Sequence, residues 1–566
     1  MEITKREKAQ RRIAALELER SSWMSHWQDI NRKLLPRTGA FFSNEANKGN
    51  RRNDGILDNT ATRALYTLGA GMQSGLTSPA RPWLKLETAD PELMETKAVS
   101  SWLDKVTQRM LTVFARSNTY RSLHLMYEEL GGYGTAGSVV LPDFQDVIRF
   151  YPMTIGEYAI STNDRGEVDT LARKFQMTVG QIVGRFVAKP DGAMDWANAS
   201  HTVKNLWDQH NVDAWVTVHQ LMQPRKDRDT RKLDARNMPF ESLTIEAGGN
   251  DDKLLKESGY RRFPALTPRW VVSGQDIYGS SCPGMVALGD INQLQHEQLR
   301  KAQGIDYQTK PPLQVPITLK NTDSDFLPGG VTYVDQTGVQ NAVRTAFDVN
   351  LNMEHLLADI NDVRNRINGA FYSDLFLFLS NLEGMRGKMT AREVAEIHEE
   401  KLLMLGPVVE NTENELLDPL ADITFDACME AGILPPPPPE LEGQEFNFSF
   451  VGILSQAQRS VSMSGVDRIV GATASMAAAK GDPSVWDKID TDQIIDKAAG
   501  YLGVDPEIIR GDDQVRAIRE QRAQAQAAQE KAAMAQAAAA TAKDLAGADM
   551  SGNNALTNVV QTFSGV

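Results

Sequence analysis

The sequence predicts an α+β fold that is predominantly helical. Long stretches place apolar residues three or four positions apart, which is the period of a helix with one buried face. Between residues 138 and 275 apolar and polar residues alternate instead, as in strands that bury one side. Residues 515–546 contain neither proline nor glycine and become rich in alanine, the best helix former.

The composition is that of a large globular protein with an acidic balance. The 566 residues suggest about three to four domains. With 60 Lys and Arg against 74 Asp and Glu, the formal charge is −14, which argues against a protein that grips nucleic acid on one large basic face. The same balance still allows a protein past which DNA slides, since tight binding to phosphates needs many basic contacts.

Cysteine content and the first residues bear on the compartment. Cys282 and Cys428 are the only cysteines, and buried free thiols are the favoured interpretation over one disulfide. The first twenty residues are charged where a signal peptide needs an apolar core. No apolar run approaches the ~18 residues of a membrane span. We therefore expect synthesis in the cytoplasm and no membrane association by the protein itself. We also expect no cofactor.

Helical patterns dominate the first part of the chain. Helices are predicted over about 3–36, 58–76, 91–117 and 120–130, with Asp58 as an N-cap of the second. A basic cluster lies in the first helix, and a solvated helix face is favoured over an acidic partner as its explanation. Its members are Lys5, Arg6, Lys8, Arg11 and Arg12.

A glycine motif marks the transition to the strand-rich part. Gly132, Gly134 and Gly137 spell G-x-G-x-x-G, but here a helix precedes and a strand follows, the reverse of a dinucleotide-binding turn. We interpret the glycines as a tight helix-to-strand connection. Strands are then predicted at 147–153, 157–163, 168–177, 212–225 and 240–248, with a helix at 177–186.

A helix, a proline-rich β insert and a second helix follow from Ser281. The first helix starts at Pro283, and the second carries an apolar stripe spaced four, three, four and four residues apart. Two helices with a small β insert at one end predict a rod whose tip is presented to something else. The stripe consists of Leu356, Ile360, Val363, Ile367 and Phe371.

The remaining chain reads as helical with two interruptions. Thr390 and Glu393 form a capping-box pattern, so a helix should start there, and another should cover 407–432. Five prolines at 435–439 predict a stiff link, and a strand is predicted at 447–451. Helices at 455–480 and 491–503 precede the alanine-rich stretch, and the chain from Gly547 is expected to fray.

Motifs for catalysis are missing from the sequence. It contains no P-loop, no H-E-x-x-H and no cysteine–histidine spacing for zinc. The segment at 279–284 is not G-x-S-x-G, and no carboxylate pair stands out for acid–base work. We therefore expect a structural protein rather than an enzyme, with no catalytic, cofactor or metal residues.

Several segments together carry a family resemblance. They are IYGSSCPGMVALGDINQLQ (277–295), KPPLQVP (310–316), LPGGVTYVD (327–335), MTAREVAEI (389–397) and LGPVVENTENELLDPLADITFDACMEAGILPPPP (405–438). In this order and spacing, the chain resembles the portal, or head-to-tail connector, proteins of short-tailed tailed phages over nearly its whole length.

The resemblance implies a fold and a position. It implies a virion protein at one capsid vertex, forming a ring of about twelve copies with closed symmetry. Genomic double-stranded DNA would be packaged and later ejected through that ring. The implied regions are a wing at 1–282 and 390–451, stem helices at 283–309 and 349–379, a clip at 310–348, a tunnel loop at 380–389, a helical crown at 452–546 and a flexible tail at 547–566.

The resemblance also implies partners and sites. The clip would face the terminase large subunit and then the tail adaptor, with Lys310, Lys320, Asp323 and Asp325 exposed to them. Major capsid and scaffolding proteins would surround the ring, and the apolar stripe of the second stem helix would pack between subunits. The DNA-facing tunnel loop would present Asn381, Glu383, Met385, Arg386 and Lys388, although an ordinary loop pair of the two basic residues with Glu383 fits equally well.

Two other functions compete with a portal. A tail adaptor or another virion connector should be shorter and should lack the helix–insert–helix arrangement. A nuclease or translocase would need a metal cluster or a P-loop, neither of which the sequence contains.

Overall fold

The fold mixes helices and sheets, as predicted, in a computed structural model of the chain. The model describes residues 3–41, 55–88, 90, 93–94, 96–189, 191–232, 234–248, 252–316, 327–334, 344–345, 353–381, 405–441, 443–444, 446–452, 469–476, 489–495 and 512–546. Two compact units are present: Met1–Ala89 with Ser101–Asp487, and Asp90–Ser100 with Lys488–Val566. No helix among these described residues is long and apolar enough to cross a membrane.

Helices and strands alternate unevenly along the chain. The helices are α1 Lys5–Lys33, α2 Thr60–Leu76, α3 Lys97–Arg116, α4 Thr119–Tyr133, α5 Val179–Ile182, α6 His201–Asp208, α7 Pro283–Val286, α8 Leu288–Thr309, α9 Met353–Ala370, α10 Ser373–Asn381, α11 Asp418–Glu430 and α12 Asp512–Ala546. The strands are β1 Leu84–Thr88, β2 Gly137–Asp143, β3 Val147–Met153, β4 Tyr158–Thr162, β5 Val168–Thr178, β6 Trp215–Pro224, β7 Phe240–Glu246, β8 Lys256–Tyr260, β9 Ala265–Leu266, β10 Leu313–Pro316, β11 Val331–Val334, β12 Arg344–Thr345 and β13 Phe446–Phe450.

The largest sheet has five antiparallel strands in the order β4-β5-β6-β7-β8. Helix α1 lies on one side of it, where Ile13 and Leu16 pack with Leu221 and Ile245. The alternating pattern predicted β4 to β7, but β8 and α6 were not predicted because their segments are polar.

Helix α1 is also fixed by Arg6, which sequence analysis placed on a solvated face. Arg6 is buried, and its guanidinium donates to the backbone oxygens of Glu246 (2.7 Å) and Lys253 (2.8 Å). Lys5 pairs with Glu257 (2.8 Å). That interpretation is wrong for Arg6, because a guanidinium can satisfy two free carbonyls at a sheet end, a contact that charge patterning does not reveal.

A second apolar cluster, on the side of the five-stranded sheet away from α1, is built around α5 and α6. Thr178 and Gln181 form a capping box at the start of α5, and a π-helical turn at Val183–Val187 continues it. The helix predicted at 177–186 is therefore present with a changed pitch. Ile182 and Val203 pack in this cluster with Val218 of β6.

The glycine motif makes the predicted connection between a helix and a strand. Gly134 caps α4 with φ of +81°, and β2 starts three residues later. A Cβ at Gly134 would lie 2.5 Å from the carbonyl oxygen of Gly279, so both the conformation and the close approach require glycine. Strand β2 pairs with β3 and β9 in a second sheet.

The C-terminal part of the larger unit returns to the body. Strand β13 pairs antiparallel with β1, and Trp83 stacks between Phe114 (5.2 Å) and Phe450 (6.4 Å). Residues 405–412 are helical and continue through a π-helical turn at Glu413–Leu417 into α11. The Glu415 carboxylate in this turn accepts hydrogen bonds from Nε and Nη2 of buried Arg269. Nη2 of Arg269 also donates to the backbone oxygen of Gly166 (2.8 Å).

In the smaller unit α12 confirms the predicted alanine-rich helix. Arg519 of α12 pairs with Asp492 (2.6 Å). Every side chain described between 514 and 534 is exposed or half-exposed. The part of the alanine-rich helix whose side chains are described therefore keeps accessible surface.

Candidate functional site: the helical hairpin and its β insert

Helices α8 and α9 form a hairpin, and the β insert joins them. The chain reaches the hairpin through Tyr278, whose buried ring lies edge-on to Trp27 (5.1 Å) and whose hydroxyl accepts from the Ile160 amide (3.2 Å). Ser281 adopts a positive φ of 58°, and Pro283 occupies the first turn of α7, where a missing amide hydrogen costs nothing. The segment that begins at Tyr278 and Gly279 therefore fixes the start of the hairpin against α1 and α4.

Both cysteine thiols of the chain are buried. Cys282 is buried, its Sγ lies 3.4 Å from the Gly132 oxygen, and burial raises its pKa to about 12. Cys428 is free as well, and burial raises its pKa to about 11. Neither thiol forms a thiolate near neutral pH, so neither is an activated nucleophile.

The half of the hairpin that adjoins the body, which we call the proximal half, is packed within one chain. It comprises 288–298 of α8 and 360–370 of α9. Ile291 and Leu294 of α8 are fully buried. Three stripe residues of α9, Ile360, Val363 and Ile367, are fully buried too, as is Phe371 directly after the helix. These four side chains have no accessible surface left to bury against another copy, so they are packed within one chain. Of the stripe predicted to pack between subunits, half-buried Leu356 alone keeps accessible surface for such a contact.

A polar cluster around Asp58 ties the proximal half to α2. The Asp58 carboxylate accepts from Arg364 of α9 (2.6 Å) and from Gln298 of α8 (3.0 Å). Gln295 accepts from the Asp58 amide (2.9 Å) and donates to its carbonyl (2.8 Å). Because the Gln298 amide and the Arg364 guanidinium converge on the Asp58 carboxylate, and Gln295 binds the Asp58 backbone, three helices keep a defined arrangement.

The predicted N-cap at Asp58 is one residue out of position. Asn59 precedes α2 and makes no side-chain cap, whereas Asp58 Oδ1 accepts from the Thr60 amide (2.9 Å). Burial alone would raise the pKa of Asp58, but the hydrogen bonds from Thr60 and Arg364 outweigh it and lower that pKa below its ordinary value. Asp58 is thus a charged anchor, and its link to Arg364 has no local signal in the sequence.

The far half of the hairpin, which we call the distal half, is barely packed. It comprises 299–309 of α8 and 353–359 of α9, and no side chain described there is buried. Leu299, Ile305 and Leu357 are each about two-fifths exposed. Among the described residues these side chains are left without full burial, so the distal half exposes apolar surface along two helices.

The β insert continues from the distal half. Strand β10 pairs in parallel with β11 and antiparallel with β12. The Gly329 amide donates to the Lys310 oxygen (2.7 Å), which joins the end of α8 to the start of β11. Lys310 is exposed at this junction, whereas the other predicted clip residues, Lys320, Asp323 and Asp325, lie outside the described residues.

The predicted second stem helix is interrupted. It ends at Ala370, Tyr372 takes a positive φ of 54°, and α10 restarts at Ser373. Phe376 of α10 lies directly over Gly71 of α2, where an added Cβ would lie 2.2 Å from the ring. In the apolar run that starts at Leu375, Leu375 and Phe376 are buried within the chain, whereas Leu377 is half-exposed.

The predicted tunnel loop lies mostly outside the described residues. Asn381 is the last residue of α10, where the backbone alone is described, and Glu383, Met385, Arg386 and Lys388 follow beyond it. The helix predicted from Thr390 also falls largely outside them. Where the structure describes side chains, it shows no cluster of three or more His, Cys, Asp or Glu suited to a metal ion.

A long helical hairpin that is held at its base and exposes apolar surface beyond it is typical of a structural subunit that assembles with other chains. Residues 6–509 match the family described as bacteriophage head to tail connecting protein, and the chain belongs to that family. It is 52% identical over 564 residues to a probable portal protein of Bordetella phage BPP-1, covering 100% of this chain and 99% of the relative. It is 44% identical over 527 residues to the portal protein of Salmonella phage epsilon15, covering 93% of each chain. These relatives confirm the family resemblance and support a structural portal role.

Proposed function

We propose that this chain is the portal subunit of a phage virion and forms a ring through which double-stranded DNA enters and leaves the capsid. The observation that carries the proposal is the distal half of the hairpin, with its exposed Leu299, Ile305 and Leu357. A closed ring gives every hairpin a neighbour on each side, which buries this surface through head-to-tail contacts. The proposed copy number is about twelve. The burial of this surface requires closed cyclic symmetry, whatever the number of copies.

The regions of the proposed ring follow the hairpin. The stem is 283–309 with 349–379, and the clip is 310–348. The wing combines 1–282 with 390–451. The crown is 452–546, where neighbouring copies of α12 bury their exposed alanine-rich surfaces, and 547–566 is a tail. Ala side chains permit close helix packing, which favours contacts between copies of α12.

The hairpin charges suit a wall that does not retain DNA. Helices α8 and α9 carry six carboxylates and four Lys or Arg residues. Since stable DNA binding needs many uncompensated basic contacts, such a surface guides a duplex without holding it. We propose that Arg386 and Lys388 after α10 supply the few phosphate contacts.

The proposed partners meet the ring at different levels. The clip faces the terminase large subunit during packaging and the tail adaptor afterwards. Capsid and scaffolding proteins contact the wing. The protein would reside at one vertex of the virion after synthesis in the host cytoplasm, and the structural role requires no enzymatic activity of its own.

Mapping the protein in intact particles tests the proposal. Particles carrying an affinity label at the C-terminus should show it at a single capsid vertex, inside the junction with the tail. A label restricted to the tail, or distributed over many vertices, would overturn the portal assignment. Wild-type particles without the label provide the background, and the infectivity of labelled particles shows that the label leaves assembly intact.

A further inference from the structure

A pocket of about 500 Å³ lies in the mixed α/β part of the larger unit, apart from the hairpin. Its size falls within the range of ligand-binding pockets. It forms where β3, β5 and the π-helical turn after α5 meet, and we call it the arginine pocket. Its principal lining residues are Arg149 and Tyr151 of β3, Arg173 and Phe175 of β5, and Arg185 of the π-helical turn.

The arginine pocket has excess positive charge in an acidic protein. Its three arginines come from three elements, and Arg149 has only a long ion pair to Asp146 (4.0 Å). One carboxylate, Glu157, also lines the pocket, but it is engaged by the Thr154 amide (3.1 Å). Lys174 borders the pocket as well, although strand alternation directs it away from the side of Arg173.

Arg173 is held in a fixed orientation. Its Nε donates to Gln220 Oε1 (2.8 Å), and Gln220 Nε2 donates to Ser242 Oγ (2.7 Å) on the next strand. The guanidinium lies over Phe175 (4.7 Å from the ring centre) and beside Tyr151 (5.9 Å). Among the described residues, none accepts a hydrogen bond from its two terminal nitrogens, so a planar pair of donors remains open to a ligand.

The environment of Arg173 favours an anion. Desolvation by burial lowers its pKa to about 10, because the charged form has lost part of its hydration. The side chain remains protonated at neutral pH. An oxyanion at its open edge offsets the lost hydration, as a bidentate pair does for a partly buried guanidinium.

We propose that the arginine pocket binds an acidic segment of a partner protein, with one carboxylate on Arg173 and Arg185 and a neighbouring apolar side chain against Phe175 and Met153. Carboxylates match the planar fork of arginine, and the apolar walls favour a peptide with apolar residues beside its acidic ones. Duplex DNA fits less well, since it binds rows of exposed basic side chains, whereas Arg173 is recessed and half-buried. This inference is independent of the hairpin and goes beyond the proposed conduit.

Fluorescence polarisation with the full-length protein tests the proposal. The probe is a labelled twelve-residue peptide that alternates Glu with Phe or Leu, and its matched control has Gln in place of Glu. We expect saturable binding of the acidic peptide and at least tenfold weaker binding of the control. Arg185→Gln, at an exposed position that should not disturb folding, and Arg173→Met, which retains apolar contacts, should each weaken binding at least tenfold.

The control variant is Arg236→Gln, an exposed arginine in a loop that does not line the pocket, which should bind like wild type. Absence of saturable peptide binding, or equal binding by the wild type, Arg173→Met and Arg185→Gln, would overturn the proposal. Binding of a duplex oligonucleotide that is lost in the same two variants, and that competes with the peptide, would assign the pocket to nucleic acid instead.

Discussion

At the scale of residues, Asp58 connects more helices than its position before α2 predicts. The sequence indicated a cap for α2, whereas the side chain binds Arg364, which lies 306 residues later in the chain. Local patterns report contacts within one or two turns, and an ion pair between distant helices leaves no such pattern. Gln295 shows the same limit, because its buried amide resembles any polar residue on a helix until the partner at Asp58 is known.

Replacing Asp58 by Asn tests this cluster. Asp58→Asn should lower the free energy of unfolding by about 1–2 kcal/mol, because the buried Asp58 side chain loses its charge toward Arg364, which is itself about two-fifths exposed. Urea unfolding at pH 7 measures the loss. Asp362→Asn is the matched control: its pair with Arg366 is exposed on both sides and should contribute less than about 1 kcal/mol.

The pH dependence gives the same prediction a second readout. The pKa of Asp58 is lowered in the folded protein, so its stabilisation is present above the unfolded pKa of about 4 and is lost as pH falls through the folded pKa. The difference between wild type and Asp58→Asn should therefore shrink as the pH falls below about 4. An equal difference at pH 7 and in acid would show that the carboxylate charge is not responsible.

At the scale of elements, periodicity predicted the hairpin, but it did not predict that the proximal half is buried while the distal half is exposed. The spacing of Ile360, Val363 and Ile367 gave a correct buried face, although it could not tell burial within one chain from burial between copies. The break at Tyr372 was missed because apolar residues continue on both sides of it. The turn lets Phe376 reach Gly71 of α2, a tertiary contact that no helical period encodes.

The loop after α10 carries the proposed contact with DNA. Replacing Arg386 and Lys388 by Ala should leave ring assembly intact and shorten or reduce the packaged genome, because the loop loses its phosphate contacts. Gel analysis of DNA extracted from particles measures genome length and yield. The matched control is Lys226→Ala with Arg228→Ala, two exposed basic residues in the loop after β6. Normal DNA length and yield in the loop variant would exclude the proposed contact, in favour of a simple pair with Glu383.

At the scale of the whole molecule, several surfaces find a common explanation in a ring. The distal half of the hairpin and the described side chains of α12, residues 514–534, both remain exposed or half-exposed in one chain. The acidic balance agrees with a conduit, and the arginine pocket provides a local exception suited to a partner protein. Composition predicted the structural class, and the family resemblance predicted the assembly. The surfaces that a single chain leaves open became visible only in three dimensions.

Electron microscopy of the purified full-length protein tests the central claim most directly. Wild type should form closed rings with a central opening, and the double variant Leu299→Asp with Ile305→Asp should not, because charges at the distal half oppose burial between neighbours. Leu18→Asp, at an exposed apolar position on α1, is the matched control and should form rings. Monomers alone for the wild type under all conditions, or unchanged rings for the double variant, would contradict a ring assembled through the hairpin.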